Sequence, residues 1–452
     1  MAGIFKAYDV RGIYPTEIDE TVAEKIGLAF RAVLDGKEDP ETPATVVVSR
    51  DMRIHGEPLS KALIEGLRRS GVDVVDIGLA TTPMSYFAVG HLQADGGIQV
   101  TASHNPARYN GFKLSRREAR PVSGTHGIPA LEAKVTSGDL PEAARPGELR
   151  HAEVFDAYSE NVLAHLRRPE GARRLTVAVD AANGMGSLYR PLLEATGIEL
   201  VPLYFELDGT FPNHEANPLK PENLRDLCRL VDERGADLGV AFDGDADRAA
   251  FVDERAEPVG SDLVTALIAG ELLERSPGGA VIYDLRSSRA VAEHVREAGG
   301  VPVRERVGHS FMKATLREQG GIFGGELAGH YYFRENFYAD CAILAVVEML
   351  NLVWKAGRPL SEIVRPLLRY AKTPETNFEV EDKEGMIRRL GERYADADVD
   401  YLDGITIRYP TWWANVRPSN TEPLLRLVLE ADTEDEMEAK KAELVALLGR
   451  PV

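Results

Sequence analysis

Apolar residues along this chain fall into short runs, and the spacing within the runs switches between two periods. Near the amino end they recur at helical spacing over 22–34 and 57–70, whereas 45–49, 72–77 and 97–100 read as compact β-strands. Pro83 stands where a further helix should open. A stretch over 137–150, rich in glycine, proline and small residues, reads as a linker. The alternation then resumes, with a helix at 154–166, strands at 175–180, 198–203 and 238–242, and helical segments at 184–196 and 222–233. A third round starts near Pro258 and carries strands at 280–284, 301–305 and around Ile322. Such alternation predicts mainly parallel sheets covered on both faces. Gly96-Gly97-Ile98 and Gly320-Gly321-Ile322 open equivalent strand-then-loop units, so the three rounds read as related α/β domains. From about Tyr370 the texture changes: strands at 378–380, 404–408, 412–416 and 425–429 surround helices at 383–394 and 434–448, a small α+β domain. The expected boundaries are 1–149, 150–256, 257–368 and 369–452.

A chain of 452 residues with 44 % hydrophobic residues is long enough for several packed cores. Its formal net charge of −19 argues against nucleic acid or an anionic membrane surface as partner. An anionic small molecule must therefore be drawn in by a local cluster of Arg, Lys and His. Cys228 and Cys341 lack CxxC spacing and read as free buried thiols, which fits a reducing compartment. Residues 1–12 lack a basic region followed by an apolar core, and the apolar stretch 342–354 is interrupted by Glu348 and Asn351. Cytoplasmic residence is the expectation.

Chemistry concentrates in four loops, each behind an apolar run. Thr101-Ala102-Ser103-His104-Asn105-Pro106 follows Gly97-Ile98-Gln99-Val100 and presents Ser103, a hydroxyl able to carry an acyl or phosphoryl group. Asp243-Gly244-Asp245-Ala246-Asp247-Arg248 follows 238–242 and converges three carboxylates, hard ligands suited to Mg²⁺ or another hard divalent ion. A calcium EF-hand loop, with Glu254 at its twelfth position, fails because Arg248 stands where glycine is needed and 249–252 continues as a strand. Gly324-Gly325-Glu326-Leu327-Ala328-Gly329-His330 lets backbone approach a ligand while Glu326 and His330 offer an acceptor and a donor. Arg417-Pro418-Ser419-Asn420-Thr421-Glu422-Pro423 sets a fixed cation beside two hydroxyls and an amide, suited to an incoming phosphate.

Together these loops, with Ala7-Tyr8-Asp9-Val10-Arg11-Gly12, resemble the α-D-phosphohexomutase superfamily over essentially the full length. Phe211-Pro212-Asn213-His214-Glu215-Ala216-Asn217-Pro218 is most similar to its bacterial phosphomannomutase/phosphoglucomutase branch. The resemblance implies three related α/β domains and a small C-terminal α+β domain, heart-shaped around a central cleft, the last domain a movable phosphate clamp. It implies reversible interconversion of hexose 1-phosphate and hexose 6-phosphate, of mannose or glucose, through phosphorylated Ser103 and a hexose 1,6-bisphosphate that turns end for end. One Mg²⁺ per chain would be bound by the Ser103 phosphate, Asp243, Asp245 and Asp247. Catalysis would rest on Ser103, Lys113, Arg11 and His104. Lys113 is expected beyond a turn at Gly111-Phe112, accepting the sugar hydroxyl proton, its own pKa lowered by nearby Arg11. Substrate contacts would come from Tyr8, Arg248, Arg286, Gly308, His309, Glu326, His330, Arg417, Ser419, Asn420 and Thr421. The partners implied are phosphosugars, with a monomer or weak homodimer as the working form.

Two positions depart from the family pattern: Ala328 stands where many members have serine, and Arg286 replaces a common lysine. Both bear on sugar contacts, so phosphoglucosamine mutase stays open as an alternative. A silent phosphosugar-binding protein is another, against which the intact Ser103, three aspartates and Arg417 loop argue. A serine hydrolase is weaker still, because the Gly-x-Ser-x-Gly elbow is absent and no His/Asp pair is placed to serve Ser103.

Overall fold

The computed structural model describes residues 3–39, 41–124, 127–419 and 424–452. Four sheets organise the chain. In the first, Thr45–Arg50, Asp73–Leu79 and Gly96–Val100 are parallel, Tyr109–Arg116 adds antiparallel beside Gly96–Val100, and Val10–Ile13 adds antiparallel beside Tyr109–Arg116. The second has parallel Glu199–Leu203, Thr176–Asp180 and Leu238–Phe242, then antiparallel Ala249–Val252 and Pro258–Val259. The third repeats the plan with Val301–Glu305, Ala280–Asp284 and Phe323–Gly325, followed by antiparallel Tyr331–Phe333 and Ala339–Asp340. The fourth is antiparallel throughout, around Trp412–Pro418 and Leu424–Ala431, with helices Lys383–Arg393 and Glu434–Leu448.

The recurring unit is a parallel set whose last strand doubles back into an antiparallel neighbour. The distinctive loops of the first three units are that hairpin connection, so strands hold them at both ends. One apolar core runs through the first three units from Val47 to Leu367, a second fills the other face of the first sheet, and the fourth unit has its own around Ile405, Trp412 and Leu427. Helix Ala342–Ala356 is buried on almost every side, which its nearly unbroken apolar sequence requires. Its two polar interruptions each have an internal partner: Glu348 Oε2 accepts from Arg275 at 2.7 Å, and Asn351 accepts from the Arg167 backbone at 2.7 Å. Among the described residues no helix is long and apolar enough to cross a membrane.

Three local expectations need correction. The segment 137–150 is not a free linker: the Glu148 carbonyl accepts from Val74 N at 2.7 Å, and Leu149–His151 adds a parallel strand to the edge of the first sheet. Gly111-Phe112 is no turn but the middle of Tyr109–Arg116, where Gly111 lies opposite Arg11 and a Cβ would meet the Val10 carbonyl at 2.1 Å. Gly324-Gly325 and Arg417-Pro418 belong to strands, not to the loops that follow. In each case cross-strand hydrogen bonds override a local preference for turn.

Candidate active site

Ser103 sits where Gly96–Val100 turns toward Tyr109–Arg116, with φ +51°, the left-handed region that serine seldom adopts. Neighbours on every side impose that conformation. Ser103 N donates to Thr101 Oγ1 at 2.9 Å, while Arg53 Nη2 donates to the Ser103 carbonyl at 2.8 Å. Arg53, 2 % exposed, also reaches the carbonyls of Asn105 at 2.6 Å, Pro106 at 3.0 Å and Tyr109 at 3.0 Å. Asp51 steadies the guanidinium from behind at 3.2 Å and accepts from Thr101 Oγ1 at 2.6 Å. This buried arginine therefore shapes the whole serine loop, and the sequence reading missed it. Its signal was available: it lies just past the strand Thr45–Arg50, in the same kind of position as Ser103.

The metal-loop candidate comes up against the serine from the second sheet. Gly244 is obligatory there, because a Cβ would stand 2.5 Å from the Ser103 carbonyl oxygen. Ser103 Oγ donates to Asp243 Oδ2 at 3.0 Å, and His104 Nδ1 lies 3.3 Å from the same hydroxyl. Burial, then Arg248 and Arg11, hold the His104 pKa well below the usual imidazole range, so its ring is neutral. Asp243, Asp245 and Asp247 are all buried and bring one oxygen each to within 4.8 Å of one another. Asp245 Oδ1 and Asp247 Oδ1 are buried with no hydrogen-bond partner among the described residues. Three convergent hard oxygens with unmet acceptor capacity fit a hard divalent cation. The calcium-loop alternative is set aside here too, since Glu254 accepts from Ser361 N at 3.1 Å.

Lys113 joins this cluster from the neighbouring strand, donating to Asp245 Oδ2 at 2.6 Å and to Asp247 Oδ2. Burial alone would lower its pKa, but Asp245 and Asp247 carry it well above the usual lysine value. The expectation that Arg11 depresses it is thus overturned. Arg11 is turned away, bound to Asn105 Oδ1 at 2.7 Å and Asp9 Oδ2 at 2.5 Å. Asp243 shows the opposite consequence: burial, then Asp247 and Asp245, raise its pKa well above the carboxylate range. Burial also pushes Asp247 up, but Lys113 and His330 outweigh it and hold Asp247 well below that range. A second group, Asp247, His330 and Asp340, is close enough to share an ion, but Lys313 Nζ already supplies positive charge 3.1 Å from Asp340.

The third sheet delivers its residues through the hairpin 326–330. Arg248 and His330 pair across it as an isolated bridge, and Ala249 N donates to the Gly329 carbonyl at 3.1 Å. The His330 ring lies between Glu326 at 3.2 Å and Asp247 at 3.6 Å. Burial and Arg248 oppose its charging, yet these carboxylates lift its pKa to about 9. Glu326 accepts from Gly308 N at 3.0 Å and from the Tyr332 hydroxyl. Gly308 has φ +136°, and a Cβ there would meet the Tyr8 hydroxyl at 2.5 Å. Tyr8 reaches the Val307 carbonyl at 3.4 Å and packs edge-on against His309 at 5.1 Å. Burial and then Glu326 push its pKa up to about 12. His309 is half-buried, its Nδ1 enclosed and unpartnered among the described residues, and loss of water around the ring lowers its pKa well below the usual value.

Arg286 is gripped by Asp284 at 2.7 and 3.2 Å, and Arg417, on its strand, donates to Glu375 at 2.7 Å. Ser419 N donates to the Leu424 carbonyl at 2.9 Å, while Asn420 and Thr421 lie outside the described residues. The structure thus brings Ser103, Lys113, the three aspartates, Arg248, His330, Glu326, Gly308, His309 and Tyr8 into one chain of contacts. Besides Arg53, the sequence reading missed Thr82, whose hydroxyl donates to Asp245 at 2.5 Å, and Glu375, the partner of Arg417.

Comparison with known proteins gives a consistent answer along the whole chain. Residues 2–142, 156–257 and 260–370 match alpha/beta/alpha domains I, II and III of phosphoglucomutase/phosphomannomutase, and 375–447 match its C-terminal domain. A protein described as phosphohexose mutases from Xanthomonas campestris pv. campestris is 40 % identical over 431 residues, 94 % of each chain. A phosphomannomutase/phosphoglucomutase from Pseudomonas aeruginosa is 35 % identical, covering 97 % of this chain and 94 % of that one. A crystal structure of a phosphoglucomutase/phosphomannomutase family protein from Burkholderia thailandensis superposes with a TM-score of 0.90 at 35 % identity, covering 98 % and 96 % of the two chains.

Proposed function

The chain belongs to the phosphoglucomutase/phosphomannomutase family and is a mutase that interconverts hexose phosphates, and we propose that it does so by passing one phosphoryl group through Ser103. The observation that carries this reading is a hydroxyl held in a left-handed backbone conformation 3.0 Å from Asp243, at the edge of three buried carboxylates. Phosphoryl transfer needs positioning and charge neutralisation more than covalent invention, and this site offers both. Asp243, Asp245 and Asp247, with a phosphate on Ser103, would hold one Mg²⁺, which when bound supplies positive charge opposite the phosphoryl oxygens.

In the first half-reaction the sugar's free hydroxyl oxygen bonds to phosphorus as the bond to Ser103 Oγ breaks. The hydroxyl proton passes to Lys113, and the proton that Lys113 gives up ends on Ser103 Oγ as its bond to phosphorus breaks, so no proton is gained or lost. Lys113 accepts only after releasing its own proton, because Asp245 and Asp247 keep it as ammonium while the sugar is away. Arg11 steadies the serine loop through Asn105, His104 flanks the hydroxyl as a neutral ring, and Arg248 adds charge beside Asp243. The hexose 1,6-bisphosphate then turns end for end, and its other phosphate returns to Ser103 by the same step reversed. Arg417 and Ser419, with Asn420 and Thr421, hold the far phosphate. Glu326, His330, His309, Gly308, Tyr8 and Arg286 line the sugar between the two ends.

Mannose and glucose phosphates are the proposed substrates, handled in the cytoplasm, where the free Cys228 and Cys341 stay reduced. Intact mass of the protein and of Ser103→Ala, together with parallel turnover of mannose, glucose and glucosamine phosphates, tests the reading. An added phosphate on the parent alone, and loss of interconversion in a folded Ser103→Ala, are expected. Undiminished interconversion by that variant would end it.

A further inference from the structure

Arg417 and Arg426 stand directly opposite each other on the antiparallel strands Trp412–Pro418 and Leu424–Ala431. Like charges so placed destabilise a sheet unless an anion intervenes. Glu375, on the strap that enters the fourth unit, is that anion. Its Oε2 accepts from Arg417 Nη2 at 2.7 Å and its Oε1 from Arg426 Nη1 at 3.1 Å. Arg286, from the third unit, brings Nη1 to 3.5 Å from the same Oε2. Arg417 is nearly enclosed, with a side chain 3 % exposed, and its Nε has no acceptor among the described residues. One nitrogen of this guanidinium is thus taken by a carboxylate, while Nε is buried with its N–H unmet, a donor left for a second anion.

We propose that Glu375 is the counter-anion of the phosphate clamp, holding Arg417 when the clamp is empty and competing for it when phosphate is bound. The inference rests on the reading of Arg417 as phosphate ligand. Its consequence is a ceiling on clamp affinity. One clamp serves both ends of the bisphosphate, so it must let go once in each turnover, and binding tighter than the reaction needs slows that release. A carboxylate attached to the same arginines gives them a partner to return to. It also bridges arginines from two units, so the empty site stays assembled between substrates.

Inorganic phosphate, as a competitive inhibitor of hexose 1-phosphate conversion, reads this directly. Glu375→Gln keeps the shape and removes the competing charge, and its phosphate inhibition constant should fall about tenfold, the scale of one charge-assisted hydrogen bond. KM should fall with it, and kcat should fall as release slows. Glu375→Asp, which keeps the charge at shorter reach, should show a smaller shift in the same direction and serves if the glutamine variant does not fold. Damage to the fold weakens binding and cannot imitate a gain in phosphate affinity. An unchanged or raised inhibition constant in a folded variant overturns the proposal. Arg417→Ala separates the two layers: if it leaves phosphate inhibition untouched, the clamp reading itself has failed, whereas if it abolishes inhibition while Glu375→Gln does not tighten it, only the role of Glu375 has.

Discussion

Replacing Arg53 by lysine tests whether the nucleophile is positioned from behind. Arg53 spends its Nη1 and Nη2 donors on the carbonyls of Ser103, Asn105, Pro106 and Tyr109, and its Nε on Asp51. An ammonium has three donors on one nitrogen and lacks the planar fork, so it can keep Asp51 and only part of the carbonyl set. At least two bonds to a charged group are lost, each about 1.5–3 kcal/mol, or roughly 3 kcal/mol at the lower bound. Because the loop sits in a strained conformation at Ser103, that loss releases the hydroxyl from its place beside Asp243 instead of merely softening a surface. If the whole amount enters the barrier, kcat falls on the order of a hundredfold. KM should change by no more than about threefold, because the sugar and far-phosphate contacts belong to other loops, and a threefold change is under 1 kcal/mol. The assay is conversion of hexose 1-phosphate at saturating bisphosphate, with thermal unfolding followed by circular dichroism to show that the variant is folded. A folded Arg53→Lys with kcat within about threefold of the parent would refute the argument that this buried cation sets the serine geometry, since a loss that small leaves under 1 kcal/mol for it.

Lys113→Met should reduce turnover at saturating substrate by about a hundredfold or more, the scale of general acid-base catalysis, and near-normal turnover would remove Lys113 from the proton path. Mg²⁺ added to chelator-treated protein should raise its unfolding temperature and restore activity, and Asp245→Asn should blunt both effects; an unfolding temperature indifferent to Mg²⁺ would count against the aspartate site. His214, 2.9 Å from Asp180, pins the segment between Phe211 and Pro218, and Asp180 raises its pKa against burial. Its stabilising charge is therefore complete below the ordinary imidazole value near 6.5 and is lost as pH climbs through the raised one. His214→Gln should flatten the fall of unfolding temperature as pH rises above the ordinary imidazole value, about 6.5, and parallel curves for the two proteins would contradict the assignment.

Much of the site is legible in the sequence because each loop carries its chemistry within a few consecutive residues behind an apolar strand. Ser103, the three aspartates and Glu326 are conspicuous for that reason, and the strand preceding each places it at a sheet end whatever the remaining chain does. The alternation of periods also predicts four units, since burying one face of a helix or a sheet is a local demand on spacing. The fourth sheet's strands and the two helices beside it follow from the same demand.

What the sequence by itself determined is which groups are present and on which loops they lie. Only the tertiary structure decided their charges and partners. Lys113 is the clearest case: neighbours in sequence suggested a lysine depressed by Arg11, whereas folding turned Arg11 onto Asp9 and Asn105 and brought Asp245 from 132 positions away to 2.6 Å. Glu375 was invisible for the same reason, and the position of Arg53 just past a strand hinted only at a place near the site, since an arginine that shapes a loop and a glutamate that holds a clamp differ from surface charges only in what packs around them. Electrostatic energy falls with the distance between atoms and grows as water is excluded, and neither quantity is written in the spacing of residues along a chain.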